Sequence, residues 1–508
     1  MTNLQARQEK IQAKRKQTSW RDFVMEIASW APYNLYKRNW LITVYKDTER
    51  LPLVISAKEY NSQRDWYKSV LVYETDFFKN LSDLISHTAL PNITEFKKNE
   101  WSDFANIVAG VKNAYLSFTI TSGSENVLYS SFIKWNSVNI IDSLSVTQHS
   151  ENIYSSIWIN QSTNIFYSKF IDNSNNIWFS DNLVGCTECL MCDWLSNQSY
   201  CIENKQYTKE EYFFNKLTIL KQRDGFYRMY LWIFNKWNNI NSTDVEGEAI
   251  YYSQNIKKSR FVSYVSGWWN NYLVWWNEPL TEVYDTFWSA SRSTNNCYAG
   301  VAHGSWDHHY CNYNSAFGFN VYYSWHCENC SFILWCVWLR NKSYCILNKQ
   351  YTKEERYEKV DEIFTQMEKD WQLWEFFPAT MNPFYFNDTA AYLIDPSFTK
   401  EEVTAKWYLR RDEPIKVDIP EGMEVVYTSS PSLLLSEKGD HKTLDDFEWF
   451  DDQGNWTINA DILKKVIQDE QWNVYRIIPM EYKFLVKHGL PLPRKHWLER
   501  MKENFRIS

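Results

Sequence analysis

The chain has 508 residues, with 54 basic and 62 acidic side chains and a formal net charge of −8. That length allows about two to four domains with a large core, and the acidic balance argues against a general nucleic-acid-binding surface. The first residues are polar, with Lys10, Lys14, Arg15 and Lys16, and no apolar run reaches membrane-spanning length. Neither a secretion signal nor a membrane span is therefore expected, and a cytoplasmic location follows.

Residues 1–100 read as an N-terminal helix and an α+β cap. Over 101–206 the chain repeats the unit Ser-x-Asn-apolar-x-x-Ser, as in Ser124-Asn126-Val127-Ser130 and Ser150-Asn152-Ile153-Ser156. Asn113, Asn126, Asn139, Asn152, Asn164 and Asn176 follow one another at a nearly constant interval, which shortens by one after Asn152. Such a short period of Ser, Asn and β-branched residues predicts a narrow β-solenoid, one coil per repeat. The Asn should stack in one column, with Val127, Ile140, Ile153, Ile165 and Ile177 inward beside them. A meander of short hairpins is the competing arrangement.

Residues 207–252 read as a helical connector and 253–350 as a second, rougher β-solenoid, its column threaded through Asn296, His309 and Asn320. The stretch Cys192 to Glu211 reappears as Cys336 to Glu355 at a constant offset, a tandem duplication. Thr208 with Glu211 and Thr352 with Glu355 form capping boxes, so a helix should follow each solenoid. Thr399 with Glu402 opens a further helix within 351–410. Residues 411–508 lack the ladder and form an α+β tail. The expected fold class is thus mainly β with helices: two tandem short-coil β-solenoids of 12–13-residue repeat, each followed by a helix, and the tail.

Ten cysteines in a chain without an export signal favour thiols or metal ligands over disulfides. Each solenoid ends in four: Cys186, Cys189, Cys192 and Cys201, then Cys327, Cys330, Cys336 and Cys345. Four thiolates suffice for a closed tetrahedral zinc site. Equally, Cys186, Cys189 and Cys192 take inward ladder slots, where buried Cys packs as a small apolar residue. The second group has a longer gap between its second and third cysteines, which suggests an insertion. Cys297 and Cys311 read as core. His303, His308, His309 and His326 form no recognisable catalytic spacing, and His309 fits a stacked ladder slot. The acidic run Asp445–Asp452 lacks a calcium-loop pattern and reads as a solvated loop.

Twenty-seven tryptophans against thirteen glycines is the oddest feature of the composition. Roughly 36 glycines would be usual, and the tryptophan excess is about as large as the glycine deficit. Many of these Trp fall beside Asn in turn-like contexts, as in Trp275-Trp276-Asn277. Either the protein is aromatic-rich, or many of these Trp stand for UGA codons that the source organism reads as Gly. The second reading places Trp194, Trp338, Trp456 and Trp472 in turns, exposed or at positive φ.

Phe376-Phe377-Pro378, Asn382-Pro383-Phe384, Asn387-Asp388-Thr389-Ala390 and the stretch Leu339 to Tyr351 resemble an uncharacterised cysteine-rich family of candidate-phyla bacteria, some lineages of which read UGA as Gly. Its members are sometimes labelled CaiB/BaiF, a CoA-transferase name for which these residues give no basis. The C-terminus resembles the family's zinc ribbon, with Gln468, Gln471, His496 and Glu499 at the four ligand positions and Trp472 where the ribbon has Gly. Two neutral amides are poor zinc ligands, so the resemblance implies a ribbon that kept its fold and lost its metal. No residue set dictates a reaction. The expected function is a cytoplasmic scaffold or interaction protein without enzymatic activity, with a protein partner and zinc as the cofactor the cysteines could take. A solenoid-groove enzyme acting on glycan polymers and an RNA-binding protein with ribbon-derived termini are the alternatives.

Overall fold

The computed structural model describes residues 17–38, 40–46, 50, 53–62, 77–95, 97–222, 239, 241–269, 271–290, 294–299, 302–303, 307–312, 315–316, 318–373, 375–412, 422–429 and 442–505; over 263–316 it gives side chains only at 271–272 and 285–287. The protein is mainly β, with solenoid coils across 104–346 and helices around them. The chain divides into two compact units. One joins residues 94–236 to 412–506, and the other joins 1–93 to 237–411. The tail therefore belongs with the coils of 104–206, from which the whole of the other unit's central stretch separates it in sequence.

The coil is built on a three-step rhythm. An inward residue and an extended residue are followed by one in the left-handed region: Asn164, Tyr167, Phe170 and Asn173 have φ of 56°, 51°, 54° and 45°. Four such corners close one coil. Each coil gives one strand to each of two parallel stacks, for example Thr163–Phe166 and Lys169–Asp172. The corner rhythm also explains the uneven period. The longer coils have two consecutive left-handed residues at the fourth corner (Trp135 with Asn136, Gln148 with His149), and the shorter coils have one (Gln161, Asn173).

Four walls face the bore. The first carries Ser124, Ser137, Ser150, Ser162 and Ser174. The second carries Val127, Ile140, Ile153, Ile165 and Ile177, all fully buried. The third carries Ser130, Ser143, Ser156, Ser168 and Ser180, and the fourth Ile133, Val146, Ile159, Ile171 and Leu183. Each buried serine in the middle of these walls accepts a backbone N–H from the next coil or donates to a nearby carbonyl, so its hydroxyl costs the core little. Ser168, for instance, accepts from Ser180 N at 3.0 Å and donates to Phe166 O at 2.9 Å.

The Asn column forms as expected. Asn113 donates to Asn126 at 3.0 Å, and the chain of amides continues through Asn139, Asn152 and Asn164 to Asn176 with bonds of 2.8–3.0 Å. Asn tolerates the left-handed corner that the column requires, which is why the residue recurs there. Asn176 then donates to Glu188 at 2.7 Å, and Lys216 of the following helix, Lys209–Leu220, closes the row at 3.0 Å. Tyr154, Phe166, Trp178 and Leu190, on the outer side of these strands, share a hydrophobic core with Phe447, Ile462, Tyr475, Phe484 and Leu485 of the tail.

In the other unit, coil-forming strands begin at Thr243, so strand replaces the end of the expected 207–252 connector. Asn296 pairs with His309 as threaded, but His309 then pairs with Val321, not Asn320. The threaded column was one residue out at its last step, because Asn320 occupies a left-handed corner (φ 53°). The capping boxes at Thr208, Thr352 and Thr399 form with both reciprocal hydrogen bonds. The stretches Asn382-Pro383-Phe384 and Asn387-Asp388-Thr389-Ala390 tie down the N-terminal segment: Asn382 donates to Ser29 O at 3.1 Å, and Asp388 binds Arg411 at 2.8 Å and accepts from Asn34 at 3.1 Å.

Candidate thiol sites at the ends of the coils

At the last coils the wall residues change to cysteine. Cys186 continues the first wall, Cys189 and Cys201 the second, and Cys192 the third; all four are buried. The sulfurs take over the serines' hydrogen bonds. Cys186 accepts a backbone N–H from Gln198 and Cys192 accepts one from Asn204. As thiols they donate to carbonyls: Cys186 to Leu195 O at 3.4 Å, Cys192 to Leu190 O at 3.4 Å, Cys201 to Ser199 O at 3.6 Å. Cys189 donates to Thr187 O at 3.7 Å, and the neighbouring Cys186 and Cys192 thiols and burial push its own thiol well up. Its thiol, together with the Gln198 N–H, pulls the Cys186 thiol down to about 6.

In the second group the register of the duplication runs through without interruption. Trp325 pairs with Val337, Glu328 with Arg340 and Ser331 with Ser343. These match, at the offset of the duplication, the pairs Asp181 with Asp193, Val184 with Ser196 and Thr187 with Ser199 of the first group. The suggested insertion is therefore absent. Cys330, Cys336 and Cys345 correspond to Cys186, Cys192 and Cys201. The fourth cysteine has changed walls: Ile333 stands at the place of Cys189, and Cys327 stands on the fourth wall at the place of Leu183. Counting along the chain paired the wrong cysteines, since one step of the corner rhythm moves a side chain to the next wall. Cys330 accepts a backbone N–H from Lys342, and Cys336 accepts one from Asn348. Burial pushes the Cys345 thiol up to about 11. Among the described residues, no group of three His, Cys, Asp or Glu side chains is placed as a ready-made metal site.

In the tail, the hairpin of Val466–Gln468 and Val474–Tyr475 precedes the helix Trp497–Phe505. Asp469 does the bridging: its carboxylate accepts from the backbone of Gln471 (3.0 Å) and Asn473 (2.8 Å) on one knuckle and of His496 (3.2 Å) on the other. His496 accepts from Leu498 N at Nδ1, and burial holds it neutral, down to about 4. Glu499 pairs with Lys502 at 2.6 Å. Sequence reasoning passed over Asp469 because it sits one place from a ligand position. A cavity of about 480 Å³ nearby is lined by Tyr115, Tyr129, Tyr475, His496 and Trp497 among others.

The remaining candidates take structural places. His326 is buried and stacked 4.0 Å from Trp338. The side chains of His303, His308, His309, Cys297 and Cys311 lie outside the described residues. Of the acidic run, Asp445, Asp446 and Asp452 are exposed, as expected of a solvated stretch, whereas Glu448 lies buried in a short strand, receiving Leu492 N at 2.7 Å and Arg494 at 2.6 Å. Among the described residues no helix is long and apolar enough to cross a membrane.

The tryptophans divide by location. Within the coils, positive φ at Trp158, Trp194, Trp335 and Trp338 follows the corner rhythm, which Phe, Tyr and Asn obey equally. Trp338 is buried, and Trp456 lies half-buried in a strand, contrary to the turn expected of it. Outside the coils, Trp371, Trp407 and Trp472 have φ of 58°, 66° and 65° and are 85%, 71% and 66% exposed. Trp371 and Trp407 each follow a helix C-cap in a Schellman arrangement, with Gln372 N bonded to Met367 O at 2.9 Å and Tyr408 N to Val403 O at 3.2 Å. Trp472 repeats the turn that contains Gly454: Asp469-x-Gln-Trp-Asn and Asp451-x-Gln-Gly-Asn make the same hydrogen bonds, residue for residue.

Compared with known proteins, the chain matches no protein-family model, no curated protein and no solved structure.

Proposed function

We propose that this protein is a cytoplasmic, non-enzymatic scaffold built from two tandem β-solenoids, each closed at its last coils by a zinc-binding thiol group and capped by a helix. The observation that carries the reading is the recurrence of three cysteines at equivalent places of the two copies, on a coil framework whose other inward positions are Ser, Ile, Val and Leu. Zinc at these places would pin the last coils, where Ser199–Ile202 and Cys345–Ile346 pair antiparallel with Lys205–Gln206 and Lys349–Gln350. Regular outer walls and capped ends suit a rigid platform for a protein partner. The test is metal analysis of the full chain purified under reducing conditions. Two zinc ions per chain, with loss of thermal stability on chelation, are expected; a metal-free chain of undiminished stability would refute the zinc-closed scaffold.

A second element of the proposal concerns chemical identity. Trp371, Trp407 and Trp472 occupy exposed left-handed positions of the kind Gly454 and Gly489 fill in the same protein. This supports reading those positions as glycine in the native chain, in a candidate-phyla lineage that decodes UGA as Gly. Peptide masses of the protein isolated from its own organism decide it. Glycine at 371, 407 and 472 is expected, and tryptophan there would overturn the assignment.

A further inference from the structure

We infer that the cavity between the tail and the first coils is a binding site for a small aromatic carboxylate. Its ring lies among Tyr115, Tyr129 and Trp497, and its carboxylate meets Arg476 and the Nε2–H of His496. The site is independent of the thiols and of any zinc.

The cavity encloses about 480 Å³, inside the range of about 300–1,000 Å³ typical of small-molecule sites. Its described walls are aliphatic and aromatic except at His496 and Arg476, and Arg476 alone among them is charged. Trp497 stacks on Tyr129 with centroids 6.1 Å apart and planes 18° apart, and Tyr115 meets Tyr129 edge-on at 6.2 Å. Flat faces and ring edges thus border the space, which suits a flat apolar body. Two tyrosine hydroxyls are already committed elsewhere. Tyr475 donates to Pro493 O at 2.6 Å, and Tyr129 bonds to the buried Glu481.

The groups left over at the wall favour an anion. Arg476 donates through Nη2 to Leu463 O at 2.9 Å, which holds the exposed guanidinium at the cavity's edge. Among the described residues no carboxylate pairs with it. His496 accepts from Leu498 N at Nδ1 (3.2 Å), so the neutral ring carries its proton on Nε2. That proton has no acceptor among the described residues. Two helices also begin at this wall, Pro479–His488 beside Ile478 and Trp497–Phe505 beside His496, and a helix start is electropositive. The carboxylates felt at Tyr129, Glu481 and Asp142, are both taken up by Arg500, Glu481 at 3.2 Å. A wholly apolar occupant would leave the His496 donor unmet, and an inorganic anion would leave the aromatic walls uncovered. An aromatic carboxylate answers both.

The experiment titrates the full chain with 2-naphthoate by calorimetry, with 2-naphthylmethanol as the uncharged probe of the same body and circular dichroism reporting fold. Wild type is expected to bind one 2-naphthoate per chain, and to bind the alcohol about tenfold more weakly. Arg476→Gln, a change at an exposed side chain, should weaken 2-naphthoate about tenfold and leave the alcohol unchanged. His496→Asn keeps an acceptor for Leu498 N and withdraws the Nε2 donor, for a further loss of about fivefold. Leu463→Trp fills the cavity and should abolish both. Three results would overturn the inference. The first is a wild type that takes up no 2-naphthoate at about 5 mM, where even millimolar affinity registers. The second is equal affinity for the acid and the alcohol. The third is binding that Arg476→Gln and a folded Leu463→Trp leave unchanged.

Discussion

The two copies finish their coils differently. Before the helix Lys209–Leu220 a row of amides runs into Glu188, and Lys216 neutralises it at 3.0 Å. At the corresponding corner of the other copy, Phe332 replaces Glu188 and stacks on Tyr344 with ring centroids 5.1 Å apart, and the cation of the capping helix, Arg356, lies over the Phe332 ring. One end is closed by hydrogen bonds and an ion pair, the other by stacked aromatics and cation–π contacts. The outer column has been rebuilt in different chemistry while three inner thiols stayed in register. The comparison teaches that the column's chemistry is exchangeable so long as its donors and acceptors are satisfied, while the three buried thiols recur at the same wall positions in both copies.

The comparison can be broken most forcefully at Glu188. Glu188→Ala leaves the Lys216 ammonium and the Asn176 amide without their acceptor in a largely buried place and is expected to cost about 3 kcal/mol. Amide exchange should rise in the coils before Cys201 and stay unchanged in those before Cys345. Asn152→Ala interrupts the same row in its middle. It removes two amide bonds at a left-handed corner, for an expected loss of about 2 kcal/mol in denaturant unfolding. An aromatic-stack end should be less demanding. Arg356→Met keeps the stem's packing and removes the cation–π contacts, so a loss of about 1 kcal/mol is expected, read from exchange in the helix Lys353–Lys369. If Arg356→Met proved as costly as Glu188→Ala, the two ends would be equally electrostatic and the contrast would fall. The smallest effect belongs to the end of that same helix: Trp371→Gly should stabilise it by about 1 kcal/mol by relieving a left-handed indole residue, and a loss of stability would show that the ring is needed there.

Much of this was legible in the residues. The Asn column and its Ile neighbours follow from a period that repeats one chemistry at one corner, and the caps follow from Thr and Glu three apart. The reason for the uneven period was not legible, because the extra residue is absorbed by a second left-handed residue that no residue type announces: Trp135 with Asn136, then Gln148 with His149. The cysteines were found but paired wrongly, since sequence spacing does not say which wall a residue faces. The tail's place beside the first coils was invisible, as Phe447, Phe484 and Leu485 carry no mark of the distant strands they pack on. The role of Asp469 was hidden for another reason: it bonds through its carboxylate to backbone N–H groups, which any sequence supplies.

The amide row has a direction. Every Asn of the column from 113 to 176 donates its Nδ2 to the residue one coil later, so the small dipoles add along the bore axis and the positive end points toward Glu188. An Asn at the last step would hand the demand for an acceptor on to yet another coil; a carboxylate accepts and asks for nothing further along. Glu188 thus acts as a full stop to the amide row: the next coil, Ser199–Ile202, carries Tyr200 at the same left-handed corner and needs no amide there.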